Sequence, residues 1–354
     1  MNTVTIKIRP GGETFTAAED AALRRGGSII QNGGLVAFPT ETVYGLGGDA
    51  LNRDSSRKIY AAKGRPSDNP LIVHICKLED MEKIAREVPE EAFRVAEAFW
   101  PGPLTMILHK AERVPTETTG GLDTVAVRFP SDKTARKLIE YGGGYIAAPS
   151  ANRSGRPSPT LAKYVAQDLD GRIDMIIDGG RVGIGLESTI LDMTVRPPQI
   201  LRPGYVTEAM LHRVLREVDT DVTILEADSG QAPRAPGMKY RHYAPRGELT
   251  IVEGELEAVI EAINRQAAAD RDLGEKTGII CASESERRYL ADAVKCLGSR
   301  GDQESVAGNL FAALREFDDE GVTKIYAESF EAPGLGQAIM NRLLKAAGHR
   351  VIRV

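Results

Sequence analysis

Hydroxyl groups and fixed cations are concentrated in five short stretches of the first 204 residues. The earliest is the turn Pro39-Thr40-Glu41-Thr42-Val43-Tyr44-Gly45-Leu46-Gly47, followed by Lys63-Gly64-Arg65-Pro66-Ser67-Asp68-Asn69-Pro70 and then His74. A strand-turn-helix passage aims backbone N–H groups at an anion, and Lys63 and Arg65 add a mobile ammonium and a planar guanidinium beside them. The glycine and two prolines around these cations fix the backbone that carries them, so the charges face a set direction and suit a phosphate or carboxylate. Taken alone, the first turn also reads as a plain strand-to-helix connection. His74 lies on an apolar strand and is either a satisfied core histidine or a ligand.

The third stretch is Thr124-Val125-Ala126-Val127-Arg128-Phe129. An arginine on an otherwise apolar strand requires an acidic partner or an anionic ligand, because a buried charge left alone is costly. A structural salt bridge and a carboxylate clamp both remain open. The fourth runs from Ala147 to Thr160 and holds Ser150, Asn152, Arg153, Ser154, Arg156 and Ser158. These residues suit phosphate and sugar binding, although some also serve as caps for a following helix. The fifth joins the glycine-rich turn Gly179–Gly185 to Glu187-Ser188-Thr189 and Leu201-Arg202-Pro203-Gly204. No GxxxxGK[ST] P-loop occurs, and no GxGxxG follows a strand and opens a helix, which disfavours the usual nucleotide folds.

The elements that must hold these groups alternate. Helical spacing predicts helices over Ala17–Gln31, Arg53–Ala62, Met81–Ala98, Lys133–Tyr141 and Thr160–Leu169. Buried strands are predicted at Leu35–Phe38, Leu71–Ile75, Leu104–Leu108, Thr124–Phe129, Ile146–Ala148, Met175–Asp178, Thr189–Met193 and Gln199–Arg202. Some connections are short, so antiparallel pairs are expected among parallel ones. After Arg246 the alternation is strict: strands at Leu249–Val252, Gly278–Ala282, Lys295–Leu297, Lys324–Ala327 and Arg350–Val354, with helices at Leu256–Ala269, Glu286–Val294, Glu304–Phe317 and Leu335–Ala347. That pattern predicts a small parallel sheet with helices on both faces. Between the two regions, residues 227–247 are dense in Pro and Gly and lack any hydrophobic period. Yet Met238, Lys239, Tyr240, Arg241, His242 and Tyr243 are residue types that make contacts, which a plain spacer does not need.

Bulk properties narrow the function. A chain of 354 residues with 42% apolar content exceeds the roughly 250–300 residues at which single cores stop growing, so two domains are expected. Net charge is −5 and the pI is about 5.7, which gives no general pull toward nucleic acid or anionic lipid. Residues 246–354 hold 14 Lys and Arg against 19 Asp and Glu, so the acid excess lies there and residues 1–245 are balanced. Cys76, Cys281 and Cys296 form no CxxC pair and no zinc framework, and read as reduced thiols of a cytosolic protein. The N-terminus lacks the apolar core of a signal peptide and no run of eighteen apolar residues occurs, so a cytoplasmic protein without a membrane role is expected.

Together the five stretches resemble the L-threonylcarbamoyladenylate synthase family, the YrdC-like enzymes, in the long form with a second C-terminal domain. The likeness runs from about Gly33 through Gly204, resumes in PGMKYRHYAP at residues 236–245, and extends loosely through GLGQAIMNRL at residues 334–343. It implies an α/β fold with an N-terminal YrdC-like twisted mixed-sheet domain over residues 1–227. It further implies a linker or lid over residues 228–247 and a small Rossmann-like parallel α/β domain over residues 248–354. The implied activity is a nucleotidyltransferase that joins L-threonine, bicarbonate or CO₂ and ATP into threonylcarbamoyl-AMP and pyrophosphate, for N6-threonylcarbamoyladenosine in tRNA. Threonine would be bound by Thr42, His74, Arg128, Ser188 and backbone near Ala148. ATP would fall to Lys63, Arg65, Asn69, Thr124, Ser150, Asn152, Ser158, Arg202 and Tyr243. Mg²⁺ would be carried by the ATP phosphates, with no protein metal site and no covalent nucleophile.

The product would pass to the tRNA threonylcarbamoyl transferase complex, and the resemblance leaves room for a weak tRNA contact. Ala147-Ala148 departs from several family members that carry a hydroxyl residue there, so a backbone contact stands in for a side-chain one. Two other readings compete with this one. Related carbamoyl-transfer domains of hydrogenase maturation sit in longer chains with acylphosphatase and zinc-finger segments that this sequence lacks. An RNA-binding protein would carry a net basic domain or stacking aromatics, whereas residues 1–245 are neutral and aromatics are 5% of the chain.

Overall fold

The computed structural model describes residues 2–9, 14–221 and 242–354. Among these, twelve strands make one mixed sheet and five make a second, wholly parallel one. The mixed sheet starts at Val4–Lys7 and passes through Met175–Asp178, Val36–Phe38, Gly45–Asp49, Ile146–Ala147, Ile72–His74 and Thr124–Arg128. It continues through Leu104–Lys110, Thr189–Asp192 and Gln199–Arg202 to Asp219–Thr220, with Ala85–Arg86 pairing onto Leu104–Lys110. The parallel sheet has the order Ala293–Cys296, Thr277–Cys281, Lys324–Glu328, Glu248–Glu253, Val351–Arg353. Antiparallel pairs do sit among parallel ones in the first sheet, as the short connections predict.

Local signals set several elements that later carry site residues. The helix Arg53–Lys63 starts at Asn52, whose side chain accepts from the Asp54 amide, and stops at Gly64 with φ 62°. Arg65 N then bonds to Tyr60 O at 2.9 Å, so the left-handed glycine turns the chain sharply between Lys63 and Arg65 and holds both cations at one helix end. The strand Gly45–Asp49, which sequence reasoning folds into the preceding turn, is glycine-rich because its neighbours leave no room. A Cβ on Gly47 would lie 2.7 Å from Ile146 and 2.8 Å from Phe38.

Two predicted helices are not formed as expected. Met81–Ala98 divides into Met81–Ile84 and Glu90–Phe99, with the short strand Ala85–Arg86 between them. Pro89 cannot donate to the preceding turn, and Glu87 adopts φ 53°. The stretch Glu286–Val294 forms only a turn at Glu286–Arg288 and then becomes the edge strand Ala293–Cys296, paired with Thr277–Cys281. Two tertiary contacts override its helical spacing: the Tyr289 hydroxyl donates to buried Glu328 at 2.7 Å, and Asp292 accepts from the Thr277 amide at 2.7 Å.

The cores are not fully segregated by sheet. Val43, Leu186 and Tyr243 pack in one buried cluster with Leu310, Phe311, Leu335 and Ile339 of the C-terminal helices. Gly185, at φ 80°, lets its loop press on the helix Gln303–Glu320: a Cβ there would stand 2.6 Å from Gly308 Cα. The C-terminal region therefore packs directly on the loops around the chemistry described next.

Candidate active site

A cavity opens beside the ends of the central strands of the mixed sheet. Register builds its floor. His74 and Arg128 are Cα partners on the parallel strands Ile72–His74 and Thr124–Arg128, and Arg128 lies opposite Thr105 on the antiparallel strand Leu104–Lys110. Thr189–Asp192 begins opposite Leu104, which brings Ser188 beside Thr105 with hydroxyl oxygens 2.7 Å apart. Four residues distant in sequence thus meet because three strand pairings place them at one sheet level. The turn over this floor is tied by Thr40, whose hydroxyl accepts from the Thr42 and Val43 amides and donates to Val43 O at 2.7 Å.

Arg128 is 4% exposed, and its Nη2 donates to Glu41 Oε1 at 2.7 Å. Of the two readings left open by the sequence, an acidic partner is present, and Arg128 also lines the cavity. His74 is buried, with Nδ1 3.1 Å from Ile72 O. Burial, then the charge of Arg128, pushes its pKa down to about 3, so the imidazole is neutral at ordinary pH. An unfolded chain binds that proton near pH 6.5, so folding stability should fall as pH drops below that value. Relative to a His74→Asn variant, the wild-type chain is expected to lose about 2 kcal/mol more between pH 6.5 and 4.5. Urea unfolding across that range checks it, and equal slopes would refute the assignment.

Three more basic side chains line the cavity. Lys63 donates to the carbonyls of Ser150 and Asn152, and its own carbonyl accepts from Ser154 N at 2.9 Å, so it holds the loop after Pro149 in place. Burial drives its ammonium well below the ordinary lysine range. Arg65 donates to Asn69 Oδ1 at 2.6 Å and to Pro70 O at 3.1 Å. Arg202 donates to Ser188 O at 3.0 Å and Ser188 Oγ at 3.1 Å. Burial lowers both guanidinium pKa values to about 10, which still leaves them charged at neutral pH. Ser150 Oγ donates to Asn152 Oδ1 at 2.5 Å, and Asn152 Nδ2 reaches the carbonyls of Arg153 and Arg156.

Of the residues expected from sequence, Thr42, His74, Arg128, Ala148 and Ser188 line this cavity, as do Lys63, Arg65, Ser150, Asn152, Arg202 and Tyr243. Three lie off its wall. Asn69 is buried behind Arg65 and orients it. Ser158 is buried and donates to Glu187 Oε1 at 2.5 Å. Thr124 stands at the other end of Arg128's strand, opposite His109. Of the linker residues, Lys239 and Arg241 lie outside the described residues. Tyr243 is buried at φ 64°, an unusual conformation for a tyrosine, with its ring 5.1 Å from that of Phe311; Ala244 N donates to Gly155 O at 2.8 Å.

Neither Glu187 nor any C-terminal residue stands among the site residues expected from the sequence, and both matter here. Glu187 lines the cavity, and its Oε2 accepts from Arg342 Nε at 2.9 Å. Burial raises its pKa, but the charges of Arg342 and Arg202 outweigh that and hold it below the usual range. Arg342 also donates to Pro203 O at 2.9 Å, and Arg315 donates to Asp168 and to Pro157 O. Both arginines are fully buried. A usable signal existed: Arg342 stands among Leu335, Ala338, Ile339, Leu343 and Ala346 at helical spacing, the same charge-in-apolar-surroundings pattern that singles out Arg128.

A family model described as telomere recombination matches residues 28–204, and one described as threonylcarbamoyl-AMP synthase, C-terminal domain, matches residues 206–348. A threonylcarbamoyl-AMP synthase of Pyrococcus abyssi is 49% identical over 95% of this chain and 97% of its own length. One of Bacillus subtilis is 46% identical over 95% and 96%. The crystal structure of P. abyssi Sua5 complexed with L-threonine is similar at a TM-score of 0.93 and 48% identity, covering 99% of this chain and 100% of that one. With full-length relatives of this identity and a matching two-part architecture, the chain belongs to the threonylcarbamoyl-AMP synthase family.

Proposed function

We propose that this chain is a cytoplasmic nucleotidyltransferase that condenses L-threonine, CO₂ or bicarbonate and ATP into threonylcarbamoyl-AMP and pyrophosphate. The observation that carries the reading is that Arg128 shares one cavity with Lys63, Arg65 and Arg202. A guanidinium between neutral His74 and two hydroxyl residues suits an amino acid's carboxylate. The charged guanidiniums of Arg65 and Arg202, with the Lys63 amine in the same lining, suit a triphosphate, whose own charge would favour the protonated amine. Thr42 and Ser188 would meet the threonine beside Arg128. Because the Ala148 amide already donates to Ile72 O, a backbone contact there would use its carbonyl. Ser150, Asn152 and Tyr243 would orient the nucleotide, with Asn69 and Ser158 acting through Arg65 and Glu187.

In this reading the threonine amine attacks CO₂ and loses a proton, and one carbamate oxygen then attacks the α-phosphorus as pyrophosphate leaves. Alignment and charge stabilisation do the work, so no covalent intermediate with the protein is required. Mg²⁺ enters with ATP as the partner of its phosphates. Among the described lining residues the one carboxylate, Glu187, is held by Ser158 and Arg342, so the ion would ride on phosphate oxygens. The adenylate would be consumed by the tRNA threonylcarbamoyl transferase complex.

Carbamates decompose in water, which gives closure a purpose. We assign residues 1–227 to the catalytic unit, 228–247 to a lid, of which residues 228–241 lie outside the described residues, and 248–354 to a Rossmann-like α/β domain. The buried Tyr243 ring in the cavity wall supports the lid's role. Tyr243→Ala is expected to lower adenylate formation by at least about tenfold, the effect of losing one well-placed aromatic contact. Wild-type turnover in that variant would end the lid assignment. The activity itself is tested by pyrophosphate release with ATP, Mg²⁺ and bicarbonate. Release should require L-threonine, and threonine-independent release, or none, would contradict the proposal.

A further inference from the structure

The Arg128–Glu41 pair is incomplete on both sides. Arg128 Nη2 donates to Glu41 Oε1 at 2.7 Å, while the buried Nε of Arg128 and the buried Oε2 of Glu41 have no hydrogen-bond partner among the described residues. Arginine and carboxylate commonly close a two-pronged contact, and leaving a buried donor and a buried acceptor unmet is costly. The two halves of the pair also differ in freedom. Arg128 is fixed in a central strand with its side chain 5% exposed, whereas Glu41 comes from a turn and its side chain is 13% exposed.

An exchange relieves both defects. A carboxylate arriving at the Nη2–Nε edge satisfies the unmet donor, and Glu41 swung toward solvent has its unmet oxygen hydrated. The surroundings favour its release once a second negative charge is near. Burial foremost, with the Glu41 charge adding to it, raises the carboxyl of neighbouring Asp132 to about 6, so Glu41 already faces a like-charged group. His74 on the other side is neutral and contributes no charge to hold it.

We propose that Glu41 is an internal competitor for Arg128: it neutralises the guanidinium and gives up that hydrogen bond to the substrate's carboxylate, so that it sets how weakly threonine is held. This rests on the assignment of Arg128 to that carboxylate. The consequence is selective, because only ligands that bring a carboxylate must displace Glu41.

The experiment is calorimetric titration of L-threonine and L-threoninamide into the full chain as wild type, Glu41→Gln and Arg128→Met, with ATP binding as the check on folding. Glu41→Gln should bind L-threonine about tenfold more tightly, equivalent to about 1.4 kcal/mol, with no gain for the amide. If Glu41→Gln fails to fold, Glu41→Ala carries the same expectation. Unchanged or weaker threonine binding in a variant with normal ATP affinity would overturn the proposal and make Glu41 a support of Arg128. An equal gain for the amide would overturn it as well. If wild type and Arg128→Met bind threonine alike, the carboxylate assignment itself fails; if Arg128→Met loses binding and Glu41→Gln gains none, only the competition fails.

Discussion

Arg128→Met should reduce threonine-dependent pyrophosphate release by at least about a hundredfold. The estimate follows from losing a charge-assisted, two-pronged contact in a site shielded from water, where such bonds are worth about 1.5–3 kcal/mol each. Methionine keeps the side chain's length and apolar packing on the strand, so the change isolates the charge. The partner Glu41 has a route to solvent, which limits the stability penalty. Arg128→Lys should recover only part of the activity, since an ammonium cannot offer two parallel donors. The defect should appear as a loss of threonine affinity, with ATP affinity retained. Steady-state kinetics at varied threonine would show this, and a variant with wild-type kcat/KM for threonine would refute the role of Arg128.

The second large effect is expected far from the strand floor, at Arg342. Its guanidinium is fully buried and joins the helix Leu335–Ala347 to Glu187 and to Pro203 O of the catalytic region. Removing one partner of a buried pair costs about 3–5 kcal/mol when the other's charge is left uncompensated, and the Arg202 charge and the Ser158 hydroxyl that remain beside Glu187 put this loss at the lower end. Arg342→Met should therefore lower the melting temperature by several degrees and disturb the neighbouring Ser188 and Arg202 contacts. The double variant Arg342→Met with Glu187→Gln should regain more than half of the lost stability, because neither charge is then stranded. Simple addition of the two single losses would show that the pair is not coupled. Arg315, bonded to Asp168 and Pro157 O beneath the loop that carries Ser150 and Asn152, gives the C-terminal region a second hold on the site.

Much of this arrangement was legible in the residues, for identifiable reasons. Strands such as Met175–Asp178 and Gln199–Arg202 and the helix Lys133–Tyr141 match their expected bounds, because continuous apolar runs and clean helical spacing are strong local signals. Arg128 stood out because a cation on an apolar strand needs an explanation. The misses arise where tertiary contacts outweigh local preference. Gly45–Asp49 becomes a strand because its glycines admit Phe38 and Ile146, and Ala293–Cys296 becomes an edge strand because Thr277 and Glu328 hold its approach. The identity of Arg128's acidic partner was equally hidden, since nothing local links Glu41 to a strand 87 residues later. The acid excess after Arg246 also masked two arginines that bind inward rather than face solvent.

The most direct test is a crystal structure of the full chain with L-threonine and a non-hydrolysable ATP analogue bound together. The threonine carboxylate is expected on the Arg128 guanidinium, the triphosphate along Lys63, Arg65 and Arg202, and the amino group facing the α-phosphorus with room for one carboxyl unit between. Threonine and nucleotide seated in separate cavities, or a threonine carboxylate turned away from Arg128, would contradict this reading.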